Sequence, residues 1–332
     1  MSPSTRSRPV LVVLNNAPLI LFVVVLAIFN AMSQRFLTVD NLLNIFIQTS
    51  ATGIVATGMT FVLLTAGVDL SVGAIMFVGA AVAGRMMLSG QPLPVALAVM
   101  LGVGIVFGSI NALFITSLRI VAFIVTLATL FVGRGFALWI TETRAMNLPE
   151  NFLQLGSARI AGLPLPVAVF AAIVAVAHLA LSSTPFGRQI YALGNHPENA
   201  RRAGIRVDRI LFSVYVISGV CAAIGGLVSL AQLGAVSPKF GLDYEFKAIA
   251  AAVLGGTSLF GGRGRVLPGT VLGAVLIQSV ENGLNVLNAD PYLYPLISSA
   301  IIFVAVLLDS ARNRLLASLT RRRIRVESGV ET

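Results

Sequence analysis

The sequence has little charge, one cysteine and two histidines, and each shortage excludes a class of protein or site. Only 11% of the 332 residues are charged and 57% are hydrophobic, which excludes a soluble globular domain. Cys221 is the one cysteine, so neither an intrachain disulfide nor a multi-thiolate metal site can form. His178 and His196 alone leave little for metal binding or acid–base catalysis. We therefore expect no cofactor and no metal.

Sequence signatures of common enzymes are also missing. The chain contains no GxxxxGK[ST] phosphate loop, no HExxH and no GxSxG elbow. An intramembrane enzyme would need a clustered nucleophile, metal set or acid–base pair, and the sequence offers none. If the protein drives uphill movement, the energy must come from a partner subunit or from an ion gradient.

Long apolar runs are what the sequence has in abundance, and they predict an all-α polytopic membrane protein with about ten transmembrane helices. The segments at 71–88 and 246–260 are short and glycine-rich, so they could be broken or re-entrant. Ten spans would divide into a 5+5 inverted repeat, because an odd number per half reverses orientation. The predicted spans are 14–33, 42–66, 71–88, 93–117, 120–141, 164–182, 210–234, 246–260, 266–287 and 292–310.

The net charge of +10 comes from arginines in short loops and tails beside the spans. The positive-inside rule then predicts that both termini lie in the cytoplasm. We expect an N-terminal tail at 1–13, a transmembrane domain at 14–310 and a basic C-terminal tail at 311–332. Basic patches interleaved with aromatic residues are missing, which argues against nucleic-acid binding.

One polar island, from Ser182 to Arg209, interrupts the apolar chain and is expected to be cytoplasmic. Asn195 or His196 can cap a short helix, Pro197 suits its first position, and Gly204 can close it in a left-handed conformation. A helix of about two turns is unstable alone. It therefore needs a partner, and a soluble motor subunit is a natural one, although an ordinary loop is the simpler alternative.

Two glycine-rich segments stand out within the apolar chain. In the first, at 58–80, Gly67 and Gly73 bracket a turn in which Asp69 or Ser71 can cap the next helix. The second, at 244–274, contains two pairs of glycines that permit close helix packing and a sharp turn. An ordinary helix–turn–helix explains either segment taken alone.

Together these segments resemble the permease subunits of bacterial ATP-binding-cassette importers, in the branch that serves ribose, xylose, galactofuranose and related sugars. The resemblance covers about residues 40 to 310. It rests on GMTFVLLTAGVDLSVGA, AFIVTLATLFVGRG, GRQIYALGNHPENARRAGI, AIAAAVLGGTSLFGGRG and the later ENGLN, in this order. Lys247 departs from the pattern, because many relatives look to carry an acidic residue there.

The resemblance implies partners and a coupling site. It implies a permease dimer, homodimeric or paired with a similar chain, that binds cytoplasmic ABC ATPase subunits and receives its sugar from an extracytoplasmic sugar-binding protein. The loop at 142–163 would face that binding protein. The residues that match the family pattern for coupling to the ATPase are Gly187, Arg188, Tyr191, Gly194, Asn195, Glu198, Ala200 and Gly204.

Polar residues inside the predicted spans are candidates for the translocation path or its gate. They are Asp69, Ser71, Asn111, Thr126, Glu245 and Asn282. A buried arginine costs roughly 2.5–3.5 kcal/mol on insertion scales unless it is paired. Arg134 and Glu281 both lie about 20 Å from the cytoplasmic ends of their helices, counted at 1.5 Å per residue. We therefore expect an Arg134–Glu281 ion pair.

The sequence favours an ATP-driven sugar importer and leaves two alternatives. Related permeases carry nucleosides or branched-chain amino acids, and specificity in such systems looks to reside mainly in the external binding protein. A gradient-driven carrier would instead need a titratable site near the middle of the membrane.

Overall fold

The computed structural model describes residues 17–290, 292–297, 299–300, 303 and 307. The predicted tails at 1–13 and 311–332, and parts of the predicted spans 14–33 and 292–310, lie outside the described residues. The helices are α1 Ala17–Met32, α2 Val39–Leu64, α3 Val72–Leu88, α4 Leu93–Thr116, α5 Ala122–Thr141, α6 Glu150–Ser157, α7 Leu165–Ser183, α8 Pro185–Asn195, α9 Pro197–Arg202, α10 Val207–Leu233, α11 Tyr244–Leu254 and α12 Val271–Val286. Residues 293–297 are also helical.

Five of these helices are long and apolar enough to cross a membrane: α2, α4, α5, α7 and α10. Each has at least 19 residues, or about 29 Å at 1.5 Å per residue. Large apolar side chains project outward from α4, α5 and α7, among them Val106, Val132 and Val176. Outward apolar faces on helices of this length are typical of lipid contact, so the chain is a polytopic membrane protein.

Helix α2 lies at the centre of the fold. Every residue from Thr49 to Leu64 is buried, and α2 packs against α7, α10, α11 and α12. Helix α10 packs in turn against α4, where the backbones approach closely because Gly104 and Gly219 face each other without side chains. The close packing of α2 and α10 forms a buried frame that holds the polar groups described below.

Both glycine-rich segments contain breaks, as the sequence suggested. Residues 65–71 separate α2 from α3, and α3 has 17 residues. Helix α11 has only 11 residues, about 16 Å, which is too short to cross a bilayer. The predicted span 246–260 is therefore not one continuous helix, because α11 ends at Leu254 and an irregular stretch leads to the kinked turn Val266–Thr270 before α12. The number of ten spans and the inverted repeat remain predictions.

Short strands, which the sequence did not predict, close one end of the bundle. Strand β1 (Met146–Asn147) follows α5 and pairs antiparallel with β4 (Ala235–Val236), which follows α10. Strands β2 (Arg159–Ile160) and β3 (Leu163–Pro164) form a small antiparallel ladder before α7. Helix α6 packs on α10, where Gly156 lies against the Ala231 carbonyl. Phe152 of α6 is fully buried.

Candidate functional site

The polar island folds as two consecutive helices, α8 and α9, where the sequence predicted one. Helix α8 begins after Thr184, whose hydroxyl accepts a hydrogen bond from the Gly187 amide at 3.2 Å. Pro185 takes the first helical position. Such a threonine–proline pair is a recognised helix start, so the sequence did carry the signal for α8. We call residues 184–204 the coupling segment.

Helix α9 has most of its predicted features. Pro197 takes the first helical position, and Gly204 follows the helix with a φ of +81°. His196 takes the N-cap position, but its side chain makes no capping hydrogen bond. The side chain of Asn195 donates to the Tyr191 carbonyl oxygen at 2.9 Å, so it does not cap α9 either.

The eight predicted coupling residues divide into those that anchor the segment and those that it presents outward. Tyr191 is half-buried. The anchoring residues are Gly187, Gly194 and Ala200, which are buried. The exposed residues are Arg188, Asn195, Glu198 and Gly204. Helix α9 is buried only at Ala200 and exposes its other side chains, which leaves a surface free to receive a partner.

Gly194 holds the end of α8 directly against the end of α2. A side chain there would meet the Leu64 carbonyl oxygen and the Gly262 amide nitrogen, both of which are backbone atoms. The Gly262 amide also donates to the Leu64 carbonyl oxygen at 2.9 Å. Three segments distant in sequence therefore share one backbone contact, and it exists only because residue 194 has no Cβ.

A second contact ties α8 to the glycine turn at 261–264. The Tyr191 hydroxyl donates to the Gly264 carbonyl oxygen at 2.9 Å. Burial raises the pKa of the Tyr191 phenol above its usual value, an effect partly offset by Arg265. The phenol therefore keeps the proton that it donates.

The two glycine-rich segments also touch each other. A Cβ on Gly261 would lie 3.0 Å from the Cβ of Ala66, in the break that follows α2. Gly261 has a φ of +82° and Ala66 a φ of +61°. The break after α2, the glycine turn and the coupling segment therefore meet at one point, although nothing in the sequence alone placed them together.

An open cleft of about 1040 Å³ lies beside this meeting point. It is bordered by α7, by α8 and by the stretch from Gly255 to Gly269. Three arginines contribute to its wall, Arg188, Arg263 and Arg265, together with His178 and Tyr191. The cleft beside the coupling segment is therefore strongly basic.

The break between α2 and α3 contains a buried carboxylate. Asp69 accepts hydrogen bonds from the Ser71 amide at 3.0 Å, the Ser71 hydroxyl at 2.5 Å and the Ser218 hydroxyl at 2.7 Å. Asn111 donates to the Ser71 hydroxyl oxygen at 2.8 Å. Each of these four side chains is at most 1% exposed. Ser71 takes the N-cap position of α3, but neither Ser71 nor Asp69 caps that helix as predicted.

Hydroxyl groups from α5 and α10 extend this buried cluster. Thr129 donates to the Asn111 side-chain oxygen at 2.6 Å. The hydroxyls of Thr126 and Tyr215 approach the Val68 carbonyl oxygen at 3.5 and 3.4 Å. The polar cluster therefore joins α4, α5 and α10 to the break after α2. Of its members, Ser218, Thr129 and Tyr215 were missed, because they look like isolated polar residues in apolar helices.

The six residues predicted for the path or gate are all buried in this conformation. Asp69, Ser71, Asn111 and Thr126 are fully buried, so they face no open passage. Glu245 is 5% exposed, and among the described residues its Oε2 has no hydrogen-bond partner. Asn282 is 4% exposed and accepts from Asn41 at 2.9 Å.

The predicted Arg134–Glu281 ion pair is wrong, because each side chain has a different partner. Lys247 on α11 lies 2.7 Å from Glu281. Arg134 donates to the Pro238 carbonyl oxygen at 3.3 Å and stands over the Phe77 ring, 5.4 Å from its centroid. Counting residues along each helix gave the depth of Arg134 and Glu281 but not the direction in which their side chains point. The short α11 places Lys247, and not Arg134, beside Glu281.

In the described part of the chain, no group of three His, Cys, Asp or Glu side chains could hold a metal ion. Cys221 is buried in α10.

Comparison with known proteins identifies a family and several relatives. The family model described as the permease component of the branched-chain amino acid transport system matches residues 41–306. The chain belongs to this permease family. The matched range begins at the third residue of α2 and extends beyond α12, and hence includes the coupling segment, the glycine turn and the buried cluster.

Several curated relatives are similar over nearly the whole chain. The ribose import permease protein RbsC of Haemophilus influenzae is 38% identical, over 88% of this chain and 91% of the relative. The D-allose transport system permease protein AlsC of Escherichia coli is 39% identical, over 86% of this chain and 88% of the relative. The galactose/methyl galactoside import permease protein MglC of H. influenzae is 31% identical, over 94% and 98%. No solved structure gives a significant match.

Proposed function

We propose that this chain is the membrane-spanning permease subunit of an ATP-driven, binding-protein-dependent importer and forms the translocation path for a sugar of the pentose or hexose class. The relatives named above are permeases for ribose, allose and galactose, and a fructose import permease of Rhizobium meliloti is 34% identical over 88% of this chain. These names favour a sugar over a nucleoside or a branched-chain amino acid.

The energy for transport would come from a separate subunit. Without a phosphate loop in its sequence, the chain acts as the moving part and the partner ATPase as the motor. Two copies of the chain, or this chain and a similar one, would complete the path. Both termini and the coupling segment would face the cytoplasm, as the arginine distribution predicts.

The single structural observation that carries the coupling part of the proposal is the backbone contact of Gly194 with Leu64 and Gly262. A partner that binds the exposed side of α9 and displaces it would displace α8 as well, because the two helices are consecutive and pack together. Because Gly194 lies directly against backbone atoms, that motion reaches the end of α2 and the glycine turn without a compliant side chain between them.

The buried Asp69 cluster is well placed to act as the gate. It begins five residues beyond Leu64, in the break that separates α2 from α3. A displacement of Leu64 would change the distances from Asp69 to Ser71 and Ser218, which now range from 2.5 to 3.0 Å. Hydrogen-bond networks of this kind favour two discrete arrangements over continuous deformation.

The external binding protein would dock at the opposite end of the bundle. That end includes α6 and the ladder of β1 with β4, and also the exposed Arg85–Glu142 pair at 2.6 Å. The loop predicted from the sequence at 142–163 covers the same elements.

Co-purification tests the proposal. The tagged chain is purified in mild detergent from the cells that produce it, and its companions are identified by mass spectrometry. The variant Arg188→Ala/Glu198→Ala removes two exposed charges from the coupling segment. The control variant Arg85→Ala/Glu142→Ala removes the same residue types from the opposite end.

An ATPase subunit should accompany the unaltered chain and the control variant and should be lost from the coupling variant. If no ATPase accompanies folded unaltered chain, the importer proposal fails and a gradient-driven carrier takes its place. If the coupling variant keeps its ATPase while the control variant loses it, the ATPase binds at the end of the bundle that carries the Arg85–Glu142 pair. That result would contradict the proposal.

A further inference from the structure

One outward face of the bundle is polar, in contrast to the apolar faces of α4, α5 and α7. Helix α2 carries three amide side chains at a spacing of three and four residues, and α12 carries a matching set with the same helical spacing. All six side chains are half-buried or exposed. We call this set the polar face: Asn41, Asn44, Gln48, Gln278, Glu281 and Asn285.

Direct contacts join the two halves of the polar face. Gln278 donates to the Gln48 side-chain oxygen at 2.8 Å. Glu281 lies 2.7 Å from Lys247 of α11, with side-chain exposures of 20% and 34%. The Tyr244 ring stands beside the lysine, its centroid 5.8 Å from Nζ. The polar face therefore offers amide groups, an ion pair and an aromatic ring close together.

A surface of this kind is poorly suited to contact lipid tails. Charged and amide groups in a hydrocarbon environment lose their hydration, so polar side chains inside membrane proteins face water or protein. By contrast, the outward side chains of α4, α5 and α7 include Val106, Val132 and Val176, which are between 54% and 70% exposed. The exposed fractions of Lys247 and Glu281 must therefore face water or another polar surface.

The polar face also lies far from the coupling segment along α2. Helix α2 has 26 residues, about 39 Å, and its last residue, Leu64, contacts the coupling segment. Asn41 and Gln48 lie in its first half, about 24 to 35 Å along the helix from Leu64. The polar face therefore belongs to the end of the bundle where the external binding protein would deliver its sugar.

We propose that the polar face lines the water-filled entrance of the translocation path and contacts the passing sugar directly. The inference rests on the proposed function of sugar import. A sugar presents closely spaced hydroxyl groups that both donate and accept, which amide side chains and an ion pair satisfy together. The Tyr244 ring supplies a flat apolar surface for the C–H side of a sugar ring.

Access of a water-soluble thiol reagent tests this proposal. The starting variant is Cys221→Ala, which removes the one cysteine of the chain. Single cysteines replace Gln48 and Gln278 on the polar face, and Val132 and Val176 on the apolar faces. Gln48 and Val132 are matched in depth, because each is nine residues from the end of its helix that lies away from the coupling segment. A membrane-impermeant cationic thiosulfonate is then applied to intact cells.

Thiosulfonates react with the thiolate, which forms in water and not in hydrocarbon. We expect Gln48→Cys and Gln278→Cys to react at least about ten-fold faster than Val132→Cys and Val176→Cys. Equal reaction rates at all four positions would overturn the proposal. Slow reaction on the polar face, together with a disulfide between two copies at Gln278→Cys, would also overturn it and make the face a contact between chains.

Sugar uptake by a variant that lacks the Lys247–Glu281 ion pair provides an independent measurement. The variant Lys247→Met/Glu281→Met should reduce the initial rate of sugar uptake about ten-fold or more while the ATPase still co-purifies. Arg119→Met/Asp208→Met removes an exposed pair, 3.5 Å apart, that lies outside the polar face and the coupling segment, and this variant should transport normally. Normal uptake by the Lys247–Glu281 variant would exclude the ion pair from the path.

These results separate the inference from the proposed function. If an ATPase co-purifies but the polar face does not react, only the inference fails. If the polar face reacts but no ATPase is found, the face lines the entrance of a different kind of transporter and the proposed importer function fails.

Discussion

Replacing Gly194 by alanine should uncouple ATP hydrolysis from transport. The new methyl group would meet the Leu64 carbonyl oxygen and the Gly262 amide nitrogen. Backbone atoms cannot rotate away as a side chain can, so α8 must move by about 1 Å or more to restore normal contact distances. That movement would also stretch the 2.9 Å hydrogen bond from Gly262 to Leu64.

The size of the effect follows from these contacts. Overpacking of a well-packed contact typically costs about 1–3 kcal/mol, and loss of one backbone hydrogen bond adds about 0.5–1.5 kcal/mol. The gain from alanine in a helix, about 1 kcal/mol, partly offsets the loss. The net cost is about 0.5–3.5 kcal/mol. Because it is borne by the conformation that contains this contact, it corresponds to a change in coupling of roughly 2- to 400-fold.

The assay measures sugar uptake and ATP hydrolysis on the same reconstituted preparation and takes their ratio. Gly135→Ala is the matched control, because Gly135 is also helical and a Cβ there meets nothing within 4 Å. We expect Gly194→Ala to hydrolyse ATP with far less uptake per ATP, and Gly135→Ala to keep the normal ratio. Equal ratios in the two variants would refute transmission through this contact.

Two further predictions concern stability. Ser218→Ala should lower the free energy of unfolding by about 1.5–3 kcal/mol, because it removes a hydrogen bond to the buried Asp69 carboxylate. Ser213→Ala is the control, because Ser213 is half-buried on the same helix and donates to the Arg209 carbonyl oxygen of that helix; it should change the free energy of unfolding little. Equal melting shifts of the two variants in detergent would contradict the role of Ser218 in the cluster. Tyr191→Phe should cost about 0.5–1.5 kcal/mol by leaving the Gly264 carbonyl without its donor. Because burial raises the pKa of Tyr191, that stabilisation is complete below the unfolded pKa of about 10 and is lost only as the pH rises above it. The difference between Tyr191→Phe and the unaltered chain should therefore stay constant between about pH 6 and 9, and a steady decline across that range would contradict the assignment.

Local signals in the sequence predicted local structure well. The Pro197 and Gly204 pattern predicted α9, and both residues take their expected positions. Glycine-rich composition suggested breaks at 71–88 and 246–260; the structure interrupts the second, where α11 ends at Leu254, but α3 is continuous from Val72 to Leu88 and the break lies just before it, at residues 65–71. These features depend on the conformational preferences of single residues, which act over a few positions.

Contacts between distant segments could not be predicted from the same sequence. Ser218 reaches Asp69 across 149 positions, and Lys247 takes the place expected for Arg134 beside Glu281. Counting residues gives the depth of a side chain in the membrane but not the direction in which it points. Which helices are neighbours, and how each is rotated, decides such contacts, and one sequence does not specify either.

The most direct test of the central claim is the energy source for sugar uptake in right-side-out membrane vesicles. These vesicles would contain the chain and its co-purifying subunits, and ribose, allose, galactose and fructose would be supplied in turn with the external binding protein. The account predicts uptake of at least one sugar that requires internal ATP and continues when ionophores collapse the ion gradients. Uptake that stops with the ionophores and continues without ATP would contradict it.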